Sequence, residues 1–307
     1  MRDNDLPNEA QQRVVITAAS AAYATEVLAL VGSIRSNWPD HPPVIVYDLG
    51  LTDETISLLK RAGVTLRVVP EFCRHWRKHF TWKIWCCKHT PADTYLWLDA
   101  GVFVLRPAPE AFVAMDRLGY FVQLNGYRIR ESACAALRRQ FPELSFDRLL
   151  SINAGVHGFN TNYAAALLDE AWELCQREEL MAADHPMGRH DQDLLSALLH
   201  KHFSPVVFLD HKLYAAHDGP AVVNEQRIWV HRRWMHPDDI QQVEQRLLSP
   251  DGPWIPRGPE ESPPPSYWWR ARVLLAKLRG RFPTESNAAY DGVRDAADGS
   301  TCEEPDE

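Results

Sequence analysis

The first hundred residues alternate short apolar runs with segments of helical periodicity, and this alternation restricts the chain more than any other feature. Arg13–Ala18 is a β-rich run, after which Ala22–Arg35 carries Val27, Leu30, Val31 and Ile34 at helical spacing. Pro43–Tyr47 is a second apolar strand, ending at Asp48. Thr52 or Asp53 then caps a helix through Leu58 and Leu59, and Gly63 suits its end because it lacks a Cβ. Val64–Val69 supplies a third strand. Such β-α-β-α-β order with short connections predicts a parallel sheet covered by helices on both faces.

Beyond a His- and aromatic-rich connection (Phe72–Phe80), Trp82–His89 is expected to be a helix feeding the strand Tyr95-Leu96-Trp97-Leu98-Asp99. Ligands on such sheets bind past the carboxyl ends of the strands. Asp99 is therefore either a site residue, whose charge needs a cation, donor or water as company, or the cap of a turn entered through Ala100-Gly101. Ser151–Asn160 is β-like, Tyr163–Cys175 and His190–His202 are helical in pattern, and Val206–Leu209 and Ile228–His231 are expected to be short strands. Periodicity fades after Leu248, which places one domain over residues 1–249. Residues 250–266, with seven prolines, read as a linker.

With 307 residues, 45% of them apolar and 24% charged, the chain can bury a full core. A net charge of −8 argues against a nucleic-acid backbone as principal partner, because phosphate binding needs a basic face, the segment near the C-terminus being a local exception. Six scattered cysteines with no Cys-x-x-Cys pair give neither a disulfide framework nor a zinc knuckle and suit a reducing compartment. The N-terminal residues lack an apolar signal core and no run reaches membrane-spanning length, so a cytoplasmic location is expected.

Four segments in fixed order, Val14–Ser33, Trp82–Val104, Ile152–Asn160 and His190–Leu199, carry a resemblance. They resemble the nucleotide-sugar glycosyltransferases of the A-type fold, in particular the glycogenin-like and lipopolysaccharide galactosyltransferase group and related uncharacterised transferases, over roughly residues 13–235. The resemblance implies an α/β fold with a mixed, mostly parallel sheet flanked by helices. It implies a hexosyltransferase-like enzyme that moves a sugar from a nucleotide-diphosphate sugar, with uridine as the expected nucleoside, to a glycan or lipid-linked acceptor. The donor would be bound by Thr17, Ala18, Tyr23, Lys83, Asp99, Ala100, Gly101, Asn153, Ala154 and Gly155. Asp191, Gln192 and Lys83 would carry catalysis, with Asp191 near the transferred sugar or acceptor, Gln192 facing the anomeric carbon and Lys83 on the leaving diphosphate. Manganese or magnesium would be held by Asp99 and His231, since a cation offsets the charge growing on the diphosphate. The family's Asp-x-Asp reads Asp99-Ala100-Gly101 here, which removes one carboxylate from the metal shell. A catalytically weak glycan- or nucleotide-binding protein on the same fold is the alternative this departure raises.

Two further segments draw attention. His75 and His79 lie four apart and would share a helix face, a spacing compatible with a metal pair, but no Glu separates them and Arg74, Arg77 and Lys78 make the segment a cationic connection that is solvated or touches phosphate. In residues 267–282, Trp268, Ala271, Leu275, Leu278 and Phe282 would line one side of a basic helix that either lies in an anionic membrane interface or packs back on the domain. Residues 283–307, acidic and rich in small side chains, are expected to be disordered.

Overall fold

The computed structural model describes residues 12–208, 215–216, 228–231 and 242–254. Its strands and helices alternate as the sequence pattern predicts: β1 (Arg13–Ala19), α1 (Ala24–Asn37), β2 (Val44–Asp48), α2 (Asp53–Arg61), β3 (Thr65–Val68), α3 (Thr81–Lys88) and β4 (Thr94–Leu98). Then follow β5 (Val102–Val104), α4 (Pro109–Leu118), β6 (Tyr120–Arg128), α5 (Ala135–Gln140), β7 (Leu150–Asn160), α6 (Ala165–Cys175), α7 (Glu178–Met181) and α8 (His190–His202). Two short strands, β8 (Ala215–Ala216) and β9 (Trp229–His231), and α9 (Val243–Leu248) complete the described elements.

The main sheet has the order β3-β2-β1-β4-β7-β6. The first four strands run parallel, and β7 lies antiparallel to both β4 and β6. Because side chains alternate along a strand, β1 serves two cores. Val14, Ile16 and Ala18 join the cluster with α3, α6 and α8. Val15 and Ala19 join the other, with α1, α4 and α9. Gly158 lets the layers close up, since a Cβ there would stand 2.4 Å from the Met115 sulfur and 2.6 Å from the Tyr95 carbonyl.

Three expectations are corrected. Val206–Phe208 is not a strand, having no ladder partner among the described residues, and Leu209 lies outside them. Residues 105–150, left without elements by the pattern reading, hold α4, β6 and α5. Trp254 is buried against Phe103, their ring centroids 4.8 Å apart, so the fold reaches four residues past Pro250. Residues 255–266, the segment 267–282 and the tail 283–307 lie outside the described residues.

Candidate active site

β4 and β7 build the centre of the site. Asp99 follows the last residue of β4, and its backbone N–H donates to the Gly155 carbonyl at 2.8 Å, so the Asn153-Ala154-Gly155 run of β7 lies directly beside it. Asp48 also ends its strand, but its carboxylate accepts the N–H groups of Gly50 and Leu51, both at 2.7 Å. Asp48 is thus a turn cap, whereas Asp99 turns its carboxylate to other side chains.

Lys83, on the first turn of α3, is the hub. Its ammonium lies 2.9 Å from Asp99 Oδ1 and 3.0 Å from Asp191 Oδ2, and donates to the Ala154 carbonyl at 3.3 Å. The rings of Trp97 and Phe80 flank it at 5.3 and 5.8 Å. Burial opposes its charge, yet Asp191 and Asp99 together raise its pKa, so it remains an ammonium. The two carboxylates differ in access: the Asp191 side chain is 4% exposed and that of Asp99 44%. Burial also works against the charge on Asp99, but Lys83 and the Trp97 indole N–H, which donates at 2.8 Å, hold it below the usual carboxylate range. Asp191 sits in the first turn of α8, where the helix dipole favours a negative group.

Gln192 is engaged on every side. Its amide nitrogen donates to Tyr127 Oη and, at 3.2 Å, to Ser151 Oγ, while its amide oxygen accepts the Ala154 N–H at 3.4 Å. Both amide N–H groups and one lone pair of the amide oxygen are thereby used, which pins the Asn153-Ala154-Gly155 run and leaves the oxygen's second lone pair.

His157, which the sequence reading passed over, closes the floor. It stacks on Trp97 with centroids 6.0 Å apart, and burial followed by the Lys83 charge pushes its pKa down to about 3. Neutral, it donates from Nδ1 to the Ala154 carbonyl at 3.0 Å, and Nε2 faces the Cys87 thiol at 3.6 Å. Tyr127 and Ser151 were missed for the same reason as His157: one strand residue among many carries no local sign of which distant helix it will meet.

Lys83, Asp99, Asn153, Ala154, Gly155, Asp191 and Gln192 are therefore brought together. Ala100 is buried beside Asp99, with Gly101 next in the chain. Ala18 is buried near the end of β1, and Tyr23, half-buried, closes the short turn that follows it. Thr17 is fully enclosed within β1 and its hydroxyl has no hydrogen-bond partner among the described residues, so its side chain offers no surface to a donor. His75 and His79 do not share a helix. His79 and Phe80 adopt left-handed backbone angles that break any helical run before α3, and His75 is buried with Nε2 bonded to the Cys175 carbonyl at 2.9 Å.

Among the described residues no three His, Cys, Asp or Glu side chains are grouped to hold a metal ion, and a cation would find only the Asp99 carboxylate here. Asp99 Oδ1 is taken by Lys83 and Trp97, while Oδ2 faces Gly155, where a Cβ would stand 3.0 Å away. The missing side chain at Gly155 keeps space beside that oxygen, and a carboxylate oxygen is what manganese or magnesium prefers. His231 ends β9 opposite Val102, three residues after Asp99, and its side chain lies outside the described residues.

No protein family's sequence profile matches this chain, and no curated protein matches it significantly. Solved structures do. The apo form of the bifunctional glycosyltransferase WbbM matches 80% of the chain at TM-score 0.54 and 16% identity, and the chain spans about half, 52%, of that protein's length. The galactosyltransferase LgtC, solved with donor and acceptor sugar analogues, matches 80% of this chain and 98% of its own at TM-score 0.47 and 14% identity. GlyE of Streptococcus pneumoniae TIGR4 matches 90% of this chain and 66% of its own at TM-score 0.47 and 16% identity. The likeness to WbbM, together with the mixed six-stranded sheet, defines the fold as that of the A-type glycosyltransferases. The structural neighbours are themselves glycosyltransferases.

Proposed function

We propose that this chain transfers a hexose from a nucleotide-diphosphate sugar, with uridine diphosphate as leaving group, to a glycan or lipid-linked acceptor. The observation that carries this reading is the buried ammonium of Lys83 held between Asp99 and Asp191 at the carboxyl end of β4. In such a transfer the bond between the anomeric carbon and the diphosphate oxygen breaks, and the acceptor oxygen bonds that carbon. The hydroxyl proton leaves to the released diphosphate or to water. Negative charge grows on the diphosphate, and a fixed ammonium in a water-poor recess stabilises it without having to reorganise.

Each residue then has a task. Lys83, its N–H groups held by Asp99, Asp191 and the Ala154 carbonyl, supplies fixed positive charge toward the departing diphosphate. Asp191 and Asp99 hold Lys83 charged and aimed, and Asp191 borders the transferred sugar or acceptor. Asn153, Ala154 and Gly155 form the wall against which the donor sugar lies, with Gln192, Tyr127 and Ser151 fixing that wall from behind. Asp99 and His231 would hold manganese or magnesium, which when bound adds positive charge at the diphosphate. With one carboxylate fewer than Asp-x-Asp provides, that cation would depend on the donor's own phosphate oxygens for part of its shell.

Residues 267–282 are proposed to attach the enzyme to the inner face of an anionic membrane, as their Trp, Arg and Lys content suits an interfacial helix. No helix among the described residues is long and apolar enough to cross a membrane.

The test is a donor screen with and without manganese, reading nucleotide release and sugar transfer separately. Transfer from a uridine diphosphate sugar supports the enzyme. Nucleotide binding without turnover favours a binding protein on this fold, the reading that Asp99-Ala100-Gly101 motivates.

A further inference from the structure

Behind Lys83 and Asp191 stands a row of three histidines that the transfer reading leaves unused. His79 Nδ1 lies 3.3 Å from His190 Nε2, with ring centroids 4.4 Å apart. On its other side His190 meets His185, again with centroids at 4.4 Å. His185 is anchored in turn: Nδ1 donates to Asp193 Oδ2 at 2.8 Å and Nε2 to the Leu180 carbonyl at 3.3 Å, and Asp193 also receives the Ser132 hydroxyl. The row is placed where it matters. His190 opens α8 and is followed at once by Asp191, while His79 precedes α3, whose first turn holds Lys83.

The backbone at one end is held against its own preference. His79 and Phe80 have φ of 57° and 56°, a region that residues with a Cβ avoid, and two in succession persist only where the surroundings impose them. The contact with His190 is one such constraint. We infer that His79 and His190 are positioning residues for the Lys83–Asp191 pair: their ring-to-ring hydrogen bond ties the turn that starts α3 to the start of α8, so that ammonium and carboxylate meet.

The charge pattern along the row is compatible with that bond. A hydrogen bond between two imidazoles needs a donor on one ring and a lone pair on the other, so at least one ring must be neutral. His185 carries the proton, because despite burial its bonds to Asp193 and Cys134 lift it to about 9. Burial, then the charges of His185 and His79, push His190 down to about 3, so it stays neutral. The groups acting on the row are Asp193 and Cys134 on His185, the Met181 backbone on His190, and Asp191 through its effect on Asp193.

The consequence for turnover rests on the transfer reading, but the clasp itself does not, so two measurements are needed on the full chain. Amide hydrogen exchange over residues 79–83 and 189–192 is compared in the natural protein, His190→Ala and His190→Gln. Exchange in both segments is expected to rise about tenfold or more in His190→Ala and to return most of the way in His190→Gln, which keeps a donor and an acceptor. Unchanged exchange in His190→Ala, or a rise confined to one segment, overturns the inference. In parallel, kcat for transfer from the donor found active is expected to fall about tenfold in His190→Ala while KM for that donor moves less than about threefold, with recovery in His190→Gln. A fall in kcat that is fully accounted for by lost folded protein, with no recovery in His190→Gln, also overturns it. If no donor is turned over by the natural protein, the transfer reading fails and the exchange comparison alone decides the clasp.

Discussion

Replacing Lys83 by methionine removes the charge at nearly constant length, and the structure sets how much stability this costs. Unit charges about 3 Å apart attract by roughly 5 kcal/mol at an effective dielectric of about 20, before desolvation is subtracted. The ammonium touches two carboxylates, but they do not weigh equally. Asp99 is 44% exposed and recovers water when Lys83 is lost, whereas Asp191, at 4%, is stranded. Breaking a buried pair by removing one partner costs about 3–5 kcal/mol, and most of that here belongs to Asp191. In a chain of this size the shift in Tm is expected to be roughly 10 °C. Urea unfolding at neutral pH of Lys83→Met, Asp191→Asn and the double variant measures it. Asp191→Asn leaves Lys83 paired with Asp99 and should cost only about 1.5–3 kcal/mol, the worth of a charge-assisted hydrogen bond. The double variant should be more stable than Lys83→Met, because its asparagine needs no counter-charge. A loss in Lys83→Met below about 1 kcal/mol, or a double variant whose loss equals the sum of the singles, would refute the claim that Asp191 depends on Lys83.

Gly155→Ala places a Cβ 3.0 Å from Asp99 Oδ2 and 3.2 Å from Asn153 Oδ1, and is expected to weaken manganese-dependent nucleotide binding about tenfold with little change in Tm, as titration calorimetry with uridine diphosphate would read. Asp99→Asn should abolish the manganese dependence of transfer while the fold survives; an unchanged manganese titration would remove Asp99 from the metal shell. Tyr127→Phe takes away one partner of the Gln192 amide and is expected to lower kcat about threefold to tenfold, with steady-state kinetics showing no change if Gln192 is held by Ser151 and Ala154 alone. For His185, the folded pKa of about 9 stands above its ordinary 6.5, so its contribution to stability is complete below pH 6.5 and is lost as pH rises through about 9. Unfolding across that window should show the decline in the natural protein and a flatter curve in His185→Gln. Truncation after Ser266 is expected to abolish sedimentation with anionic vesicles and to leave transfer to a soluble acceptor intact.

The parallel half of the fold was legible because its signals are local. β1 and β2 are apolar runs, α1 carries Val27, Leu30, Val31 and Ile34 at helical spacing, and Thr52 and Gly63 bracket α2 in the way caps and stops are expected to. The stretch from Pro109 to Arg128 was not read, although Pro109 at the first helical turn, Gly119 at φ 83° and the aromatic run Tyr120-Phe121-Val122 mark a helix, its stop and a strand. The site was legible in part. Asp99 and Lys83 stood out through strand position and resemblance, but Trp97 on Asp99, His157 on the Ala154 carbonyl, and Tyr127 and Ser151 on Gln192 meet only through the β4–β7 and β6–β7 registers. His75 and His79 were misassigned to a helix because spacing alone cannot show that His79 and Phe80 reverse the chain, a feature imposed by tertiary contacts.

The loss of the second carboxylate at Gly101 becomes intelligible once Lys83 is placed. Lys83 lies within 3.0 Å of both Asp99 and Asp191, so the chain itself supplies part of the positive charge at the strand end. The pair of acids around one ammonium leaves a net charge near −1, against −2 for a site with a further aspartate at position 101. Less negative charge means weaker attraction for a divalent ion before the donor arrives, and less repulsion toward the incoming diphosphate. Such a site would take up cation and diphosphate together rather than in sequence. Manganese affinity measured without nucleotide should accordingly be weak, and should tighten in the presence of uridine diphosphate by the same factor by which manganese tightens the nucleotide, because the coupling is reciprocal. Restoring an acid with Gly101→Asp is expected to raise manganese affinity in the absence of nucleotide and to shrink that coupling factor. Equal coupling in both proteins would show that the charge balance around Lys83 does not govern cation binding.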